Sequence, residues 1–271
     1  MSAEHLTLRL RRHKLDLAGG PAGWLALGDG AGVPAVLVHG FAGDLTSWQF
    51  NMTALSHRRR VIAIDLPGHG VSTPDVAGGD VRAFAPWLVR VLDALGLERV
   101  HLVGHSMGGR VALELAIQAP ERAASLSLLA PAGIYAGFDL AFLRRLLAVR
   151  EPQEAEACVA RLFARPTPYA AVLARGLVAR LTVPGFREPL AAILEASFAA
   201  PPPGPDLDRL ACPLQLIWGA EDTVIPVPPP ECRPALAPFH LLQSVGHLPH
   251  LEAASRVNGL LGTFFAQAGE G

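Results

Sequence analysis

The chain has 271 residues, of which 51% are hydrophobic and 17% charged, and its formal net charge is -1. This length suits one large α/β domain or two smaller ones. A near-zero charge leaves no basic excess to neutralise phosphates, which argues against a nucleic-acid partner. Because no run of 18 apolar residues occurs, we expect no membrane-spanning segment.

The cysteine and lysine content narrows the range of possible sites and reactions. The three cysteines (Cys158, Cys212 and Cys232) follow no spacing typical of zinc sites or disulfide frameworks. The single lysine, Lys14, lies outside any Walker A motif, so ATP-dependent phosphoryl transfer is not expected. The first residues contain no apolar stretch typical of a signal peptide. We therefore expect a reduced, cytoplasmic protein without a metal site.

Apolar runs with strand character alternate with helical patterns through residues 1–131, which predicts a mostly parallel sheet flanked by helices. The predicted strands are residues 6–10, 24–27, 35–38, 61–64, 100–103 and 125–129. One predicted helix runs from Val81 to Leu95, with Asp80 as its N-cap and Gly96 at its end. A second predicted helix covers residues 107–119.

The pattern changes after residue 131. Four helical segments follow one another without an intervening strand, at residues 138–149, 153–164, 169–181 and 186–198. Strands resume at residues 214–218 and 239–245, and a C-terminal helix begins at about residue 250. We interpret residues 132–205 as a helical cap inserted into a core that comprises residues 1–131 and 206–271.

The segment Gly104-His105-Ser106-Met107-Gly108 lies between a predicted strand and a predicted helix. This context is typical of the G-x-S-x-G nucleophile elbow, in which the serine occupies a sharp, strained turn. Glycines two residues away leave room for that turn, and the helix directs its positive end at the serine. A loop that ends in a helix-capping serine is the alternative. We predict that Ser106 is a nucleophile.

A serine hydroxyl needs a general base. His247 follows Gly246 directly after the last predicted strand, at the carboxyl edge of the sheet. His250 is the competing candidate, but its place at the start of the last helix predicts a surface or capping role. His101 lies inside a predicted strand, which favours a structural role.

The histidine in turn needs a carboxylate that fixes its tautomer. Asp222 lies in the loop that leaves the predicted strand 214–218. Glu221 is the alternative, one residue nearer the strand end. The order Ser106, Asp222, His247 is that of the hydrolase fold rather than of the two other triad folds.

Two backbone N–H groups are needed for the oxyanion that forms during acyl transfer. Met107, directly after the nucleophile, should supply one of them, and Phe41, in the loop after residue 38, should supply the other. Such chemistry requires neither a metal nor an organic cofactor.

These motifs, in their order along the chain, resemble the α/β-hydrolase superfamily; they are residues 39–41, 65–70, 104–109, 218–222 and 246–247. The resemblance implies an α/β-hydrolase fold over nearly the whole chain. Residues 128–133, the cap and residues 252–258 are most similar to the hydrolase-like acyltransferase subunit of acetoin-cleaving dehydrogenase complexes. Such subunits typically carry an N-terminal lipoyl domain, which we do not expect here, and this favours a free-standing hydrolase.

The expected activity is that of a serine hydrolase acting on small to medium carboxylic esters through an acyl-enzyme. Its partner would be a small-molecule ester or a related carbonyl compound. We expect Phe41, Phe142 and Leu248 to contact the substrate. Other apolar cap residues that could line the pocket are Phe138, Leu146, Phe163 and Phe198.

Several alternatives remain open from the sequence. Meta-cleavage carbon–carbon hydrolases share the triad and the cap, but they usually have asparagine before the serine and tryptophan after the histidine, where this chain has His105 and Leu248. An acyltransferase or thioesterase related to acetoin dehydrogenase subunits and a cofactor-free perhydrolase share the same motifs. The intact triad argues against a non-catalytic binding module.

Overall fold

A seven-stranded sheet forms the centre of the computed structural model, which describes residues 12–134, 137–199, 205–235 and 237–269. Its strands are β1 (His13–Leu17), β2 (Gly20–Val38), β3 (Arg59–Ile64), β4 (Val100–His105), β5 (Ala123–Leu129), β6 (Leu214–Gly219) and β7 (Phe239–Leu242). The predicted strand at residues 6–10 lies outside the described residues. The other predicted strands coincide with or overlap β2 to β7, which confirms the α/β class.

Strand β2 lies along both edges of β3. Leu27 and Ala35 are both opposite Val61, so the two halves of β2 lie on opposite sides of β3. The two predicted strands at residues 24–27 and 35–38 are therefore one irregular strand with several register shifts. Its second half continues into the parallel series β2, β4, β5, β6, β7.

The sheet separates two apolar layers, because successive side chains of a strand point to opposite faces. In β2, Val36 and Val38 pack into one layer, whereas Ala35 and Leu37 pack into the other. The first layer is covered by α2 (Phe84–Ala94) and α3 (Met107–Gln118), and the second by α1 (Gln49–Leu55) and the C-terminal helix. Coverage on both faces explains why the central strands β4, β5 and β6 are buried at every position.

Four helices lie between β5 and β6 and form the cap, a name used here for the described residues 137–199. They are α4 (Leu140–Ala148), α5 (Pro152–Ala160), α6 (Pro168–Leu181) and α7 (Arg187–Ile193). Asp139 and Thr167 accept hydrogen bonds from the first-turn N–H groups of α4 and α6, which fixes where these helices begin. The apolar side chains of the cap join the cluster on the α2–α3 face of the sheet, so cap and core share one apolar interior.

Several predicted bounds differ from the observed ones. The helix predicted at residues 186–198 is α7 followed by a π-helical turn, Leu194–Ala199. The predicted strand 239–245 ends at Leu242, because Ser244 adopts a positive φ of 60° that no strand accommodates. The predicted C-terminal helix is broken at Ala253 into α8 (Pro249–Glu252) and α9 (Ala254–Gln267). Among the described residues, no helix combines the length and apolarity needed to cross a bilayer.

Candidate active site

Ser106 lies at the junction of β4 and α3 in a strained backbone conformation, with φ 53° and ψ -119°. The neighbouring glycines make this turn possible. A Cβ on Gly104 would lie 2.4 Å from the carbonyl oxygen of Gly108, and a Cβ on Gly108 would lie 2.3 Å from that of His39. The serine therefore stands at the N-terminus of a twelve-residue helix, where the helix dipole favours negative charge.

Asp222 and His247 meet at the same edge of the sheet. The Nδ1–H of His247 donates a hydrogen bond of 2.8 Å to Oδ2 of Asp222. Oδ1 of Asp222 accepts from the N–H groups of Val224 and Ile225 at 2.8 and 2.9 Å. Both carboxylate oxygens are thus engaged, and the aspartate is fixed in an orientation that aligns the imidazole.

Glu221 binds backbone N–H groups rather than the imidazole of His247. Its two carboxylate oxygens accept from the N–H groups of Ser244 and Val245, at 3.1 and 2.7 Å. These bonds hold the loop after β7, which carries His247. Of the two adjacent carboxylates that the sequence left open, the structure brings Asp222 and not Glu221 to the imidazole.

The cap also holds the histidine loop. The N–H of His247 donates to the carbonyl of Leu162 at 2.8 Å. Glu252 accepts from the N–H groups of Gly246 and Ala164, both at 2.8 Å. Gly246 must lack a side chain, because a Cβ there would lie 2.8 Å from the nitrogen of Ala164.

Within the described residues, no hydrogen bond joins Ser106 Oγ to His247, whose Nδ1 is bonded to Asp222. Catalytic hydrogen bonds are often long or poorly aligned until substrate binds.

The loop of residues 39–45, called here the oxyanion loop, lies against the elbow. A Cβ on Gly40 would be 2.9 Å from Nδ1 of His105 and 3.2 Å from Cβ of Ser106, so any larger residue would require these side chains to shift. Within the part of the chain that the structure describes, the N–H groups of Phe41 and Met107 donate to no protein acceptor. Two unpaired backbone donors therefore lie on the loop and the helix end that meet at Ser106.

Two buried histidines, His39 and His69, form hydrogen bonds with backbone groups of the oxyanion loop. His39 accepts from the N–H of Leu66 and donates to the carbonyl of Gly40. His69 accepts from the N–H of Ala42 and donates to the carbonyl of Pro67. Burial lowers the pKa of both imidazoles, that of His69 to about 3. Each stays neutral at physiological pH, which its paired donor and acceptor roles require.

Arg180 of α6 connects the cap to the oxyanion loop. Its guanidinium donates to the carbonyl of Ala42 at 3.1 Å and lies 3.4 Å from Asp44. Burial raises the pKa of Asp44, but hydrogen bonds from Thr46 and the charge of Arg180 outweigh it and lower that pKa. The sequence contained no signal for this arginine, because its partners lie more than 130 positions away.

A cavity of about 100 Å³ lies between the oxyanion loop and the cap. Of the expected substrate-contacting residues, Phe41 and Leu248 line it, as does Leu146 of the cap. Phe142 is buried elsewhere in the cap, beneath the guanidinium of Arg161. One face of α6 borders the cavity through Leu173, Leu177 and Arg180.

Among the described residues, no three His, Cys, Asp or Glu side chains are grouped as metal ligands would be.

The expected surface or capping role of His250 is wrong. His250 is fully buried, although it stands at the start of the short helix α8. Its ring packs between Trp48 and His105, with ring centroids 4.6 and 4.5 Å away. The helix that carries it turns toward the core of the molecule, which polarity and helix position alone could not reveal.

The buried histidines predict a loss of stability in weak acid. Burial lowers the pKa of His69, His101 and His250 to about 3, from an ordinary value of 6.5. The unfolded chain therefore binds protons first, so the free energy of unfolding should fall as the pH drops from about 6.5 toward 3. Each histidine contributes up to about 1.4 kcal/mol per pH unit.

Urea unfolding between pH ~7.5 and ~5.5 measures this slope before the carboxylates titrate. His101→Phe should make the slope shallower by one histidine's share, because His101 already stacks on Phe265 and phenylalanine takes up no proton. A free energy of unfolding that stays constant across this range would contradict the prediction.

Residues 34–253 match the profile of the alpha/beta hydrolase fold family. The chain is 36% identical, over 247 residues, to the dihydrolipoyllysine-residue acetyltransferase component of the acetoin cleaving system of Pseudomonas putida, covering 90% of this chain and 66% of that relative. The chain thus spans about two thirds of the length of that protein. The expected resemblance to this group is confirmed.

Two further similarities extend over nearly the full length of both compared chains. The chain is 33% identical, over 275 residues, to 2-hydroxymuconate semialdehyde hydrolase of Pseudomonas sp. strain CF600, covering 88% of this chain and 89% of that protein. The solved structure of 2-hydroxy-6-oxo-6-phenylhexa-2,4-dienoate hydrolase from Rhodococcus sp. strain RHA1 superposes with a TM-score of 0.86 at 23% identity. The superposition covers 95% of this chain and 99% of the Rhodococcus chain. This similarity is one of fold.

Proposed function

Because the chain belongs to the α/β-hydrolase fold family, we propose that it is a serine hydrolase that cleaves small to medium carboxylic esters through an acyl-enzyme. The observation that carries the proposal is the 2.8 Å bond from His247 Nδ1 to Asp222, with Ser106 strained at a helix N-terminus on the same sheet edge. An aspartate-fixed imidazole beside a serine elbow is the arrangement that acyl transfer requires.

In the proposed mechanism Ser106 Oγ attacks the ester carbonyl carbon while His247 Nε2 accepts the hydroxyl proton. The oxyanion that forms accepts hydrogen bonds from the N–H groups of Phe41 and Met107. As the intermediate collapses, the carbon–oxygen bond breaks and His247 delivers its proton to the leaving alcohol. Water then attacks the acyl-enzyme by the same steps, and Asp222 stabilises the imidazolium each time.

The size and the lining of the cavity beside the oxyanion loop favour a substrate with a small, largely apolar acyl group. Its volume of about 100 Å³ holds about three water-sized groups. The side chains around it are mainly aliphatic and come from both cap and core: Leu146, Val159, Leu162, Leu173, Leu177, Leu248 and Leu251. A cap that closes over such a cavity selects by size and excludes water from the acyl-enzyme.

We predict that Leu173→Ala shifts the acyl-chain preference toward longer esters, because it removes an aliphatic side chain from the cavity wall. Val172→Ala is the matched control: this neighbour on the same helix is exposed and should leave the profile unchanged. The measurement is kcat/KM across p-nitrophenyl esters of increasing chain length. Identical profiles for the two variants would show that the acyl group binds elsewhere.

Phe142 should behave differently from Leu173. Its ring is buried within the cap, and truncation of a core phenylalanine lowers stability by about 3–5 kcal/mol. Phe142→Ala should therefore lower the melting temperature while the preferred chain length stays as in the unmodified chain. A shifted chain-length profile would instead place Phe142 at the substrate, as its sequence position suggested.

A second candidate is a meta-cleavage carbon–carbon hydrolase. The observation that favours it is the 33% identity to 2-hydroxymuconate semialdehyde hydrolase along nearly the whole of both chains. His105 and Leu248 stand where such hydrolases usually have asparagine and tryptophan, which is why ester cleavage is preferred. Turnover of a vinylogous diketone faster than of any ester would favour this candidate.

An acyl transfer role is the third candidate, favoured by the identity to the acetoin-system acetyltransferase component. The same triad would then pass the acyl group to a thiol or another acceptor rather than to water. A panel of esters, thioesters and vinylogous diketones, assayed with and without an added thiol acceptor, separates the three candidates. The proposal expects the highest kcat/KM with short-chain esters in water alone.

A further inference from the structure

Two buried imidazoles lie side by side at the cavity between the oxyanion loop and the cap. His105 and His250 both line this cavity, and their ring centroids are 4.5 Å apart. Neither Nδ1 nor Nε2 of His250 has a hydrogen-bond partner in the structure, although both atoms are buried. Burial lowers the pKa of His250 to about 3 and that of His105 well below its ordinary value, so both rings are neutral.

The tautomer of His105 follows from its one hydrogen bond. Nε2 lies 2.8 Å from the carbonyl oxygen of His247, and a carbonyl can only accept, so Nε2 carries the proton. Nδ1 of the neutral ring is therefore a hydrogen-bond acceptor. A Cβ placed on Gly40 would lie 2.9 Å from this Nδ1 and 3.2 Å from Cβ of Ser106. Nδ1 of His105 and Cβ of Ser106 therefore both lie close to Gly40 of the oxyanion loop, which lines the cavity.

His250 complements this acceptor. A neutral imidazole has one N–H donor and one acceptor nitrogen, and neither is used within the protein. Leaving a buried donor or acceptor unpaired costs about 1–3 kcal/mol, so a bound group that pairs with it is favoured. A carboxylate cannot donate to His105 Nδ1, and an ammonium cannot accept from His250. A hydroxyl group does both.

We propose that His105 and His250 form a subsite for a hydroxyl group on the substrate's acyl chain, close to the reacting carbonyl. The inference rests on the proposed function, because it assumes that the acyl group bound at Ser106 enters the cavity between the oxyanion loop and the cap. It narrows the substrate class to hydroxyacyl esters. The aliphatic remainder of the cavity would hold the rest of the acyl chain.

The test compares kcat/KM for two substrates that differ in one hydroxyl, p-nitrophenyl 3-hydroxybutanoate and p-nitrophenyl butanoate, with the 2-hydroxy ester as a third arm. Sites that bind a substrate hydroxyl discriminate strongly against its absence. We expect one of the hydroxy esters to be preferred by at least about tenfold. In His250→Phe, which keeps the ring packing against Trp48, this ratio should fall to about one.

His250→Gln, which offers both a donor and an acceptor, should retain part of the preference. The matched control is His101→Phe, because His101 is also buried, stacks on an aromatic ring and has an unpaired Nε2 away from the cavity. It should leave the ratio unchanged. Equal kcat/KM for hydroxy and plain esters in the unmodified chain would overturn the inference and indicate that water alone occupies the subsite.

A preference that persists in His250→Phe would also overturn it. Failure of the proposed function would look different, because then neither ester is hydrolysed and Ser106 does not react with a fluorophosphonate. Fluorophosphonate labelling of each variant therefore accompanies the kinetics. A variant whose Ser106 is labelled normally has kept its fold and its nucleophile, so its ratio reports on the subsite.

Discussion

Ser106→Ala should abolish ester hydrolysis while the fold stays intact. Loss of the nucleophile of a serine triad lowers kcat by about 10⁶, because no other group can form the acyl-enzyme. The strained backbone at Ser106 is maintained by the flanking glycines and not by the hydroxyl, so alanine should adopt the same turn. Single-turnover and steady-state assays of the purified variant, with its melting curve, measure the effect.

Ser244→Ala is the matched control for this variant. Ser244 is the other serine with a positive φ among the described residues, and its hydroxyl accepts from Arg165 rather than facing the elbow. Its replacement should leave kcat within a few-fold of the unmodified value. If Ser106→Ala kept more than a trace of activity in a contaminant-free preparation, the nucleophile would have to be sought elsewhere.

Asp222→Asn should lower kcat by up to about 10⁴. The amide can present N–H groups to His247 Nδ1, which favours the tautomer that cannot accept the serine proton at Nε2. The loop should keep its shape, because the amide oxygen can still accept from Val224 and Ile225 as Oδ1 does now. Measuring kcat beside the melting temperature separates the electronic effect from unfolding.

Glu221→Gln, one position earlier, is the comparison for Asp222→Asn. Glu221 binds the N–H groups of Ser244 and Val245, so its variant should loosen the histidine loop and lower the melting temperature with a much smaller loss in kcat. A larger kcat loss for Glu221→Gln than for Asp222→Asn would mean that the other carboxylate of the pair serves His247.

The elbow could be predicted from the sequence because a strand and a helix flank a recognisable glycine pattern. Gly104 is required by atoms of Gly108 a few positions on, whereas the contacts that require Gly108 come from Val38 and His39 in the folded chain. The order of strands along the chain could likewise be predicted, since buried parallel strands appear as largely apolar runs in the sequence. The preference for Asp222 over Glu221 rested only on its greater distance from the strand end, whereas the contacts that distinguish the two carboxylates form in the folded loop.

Residues whose roles depend on distant contacts escaped prediction. His250 looked like a polar helix-start residue, yet Trp48 and His105 enclose it. Arg180 lies on a helix stripe with Leu173 and Leu177, and only the packing of the cap on the oxyanion loop gives it partners. In both cases the side chain is polar and the environment is set by tertiary packing, which periodicity does not encode.

Reaction of the intact chain with a fluorophosphonate tests the central claim most directly. The proposed site predicts one phosphonyl group per chain, located on Ser106 by peptide mass spectrometry, with no incorporation into Ser106→Ala and normal incorporation into Ser244→Ala. Asp222→Asn should react far more slowly, because its imidazole is in the wrong tautomer. An unlabelled chain, or a label on any residue other than Ser106, would contradict the assignment of the nucleophile and the function built on it.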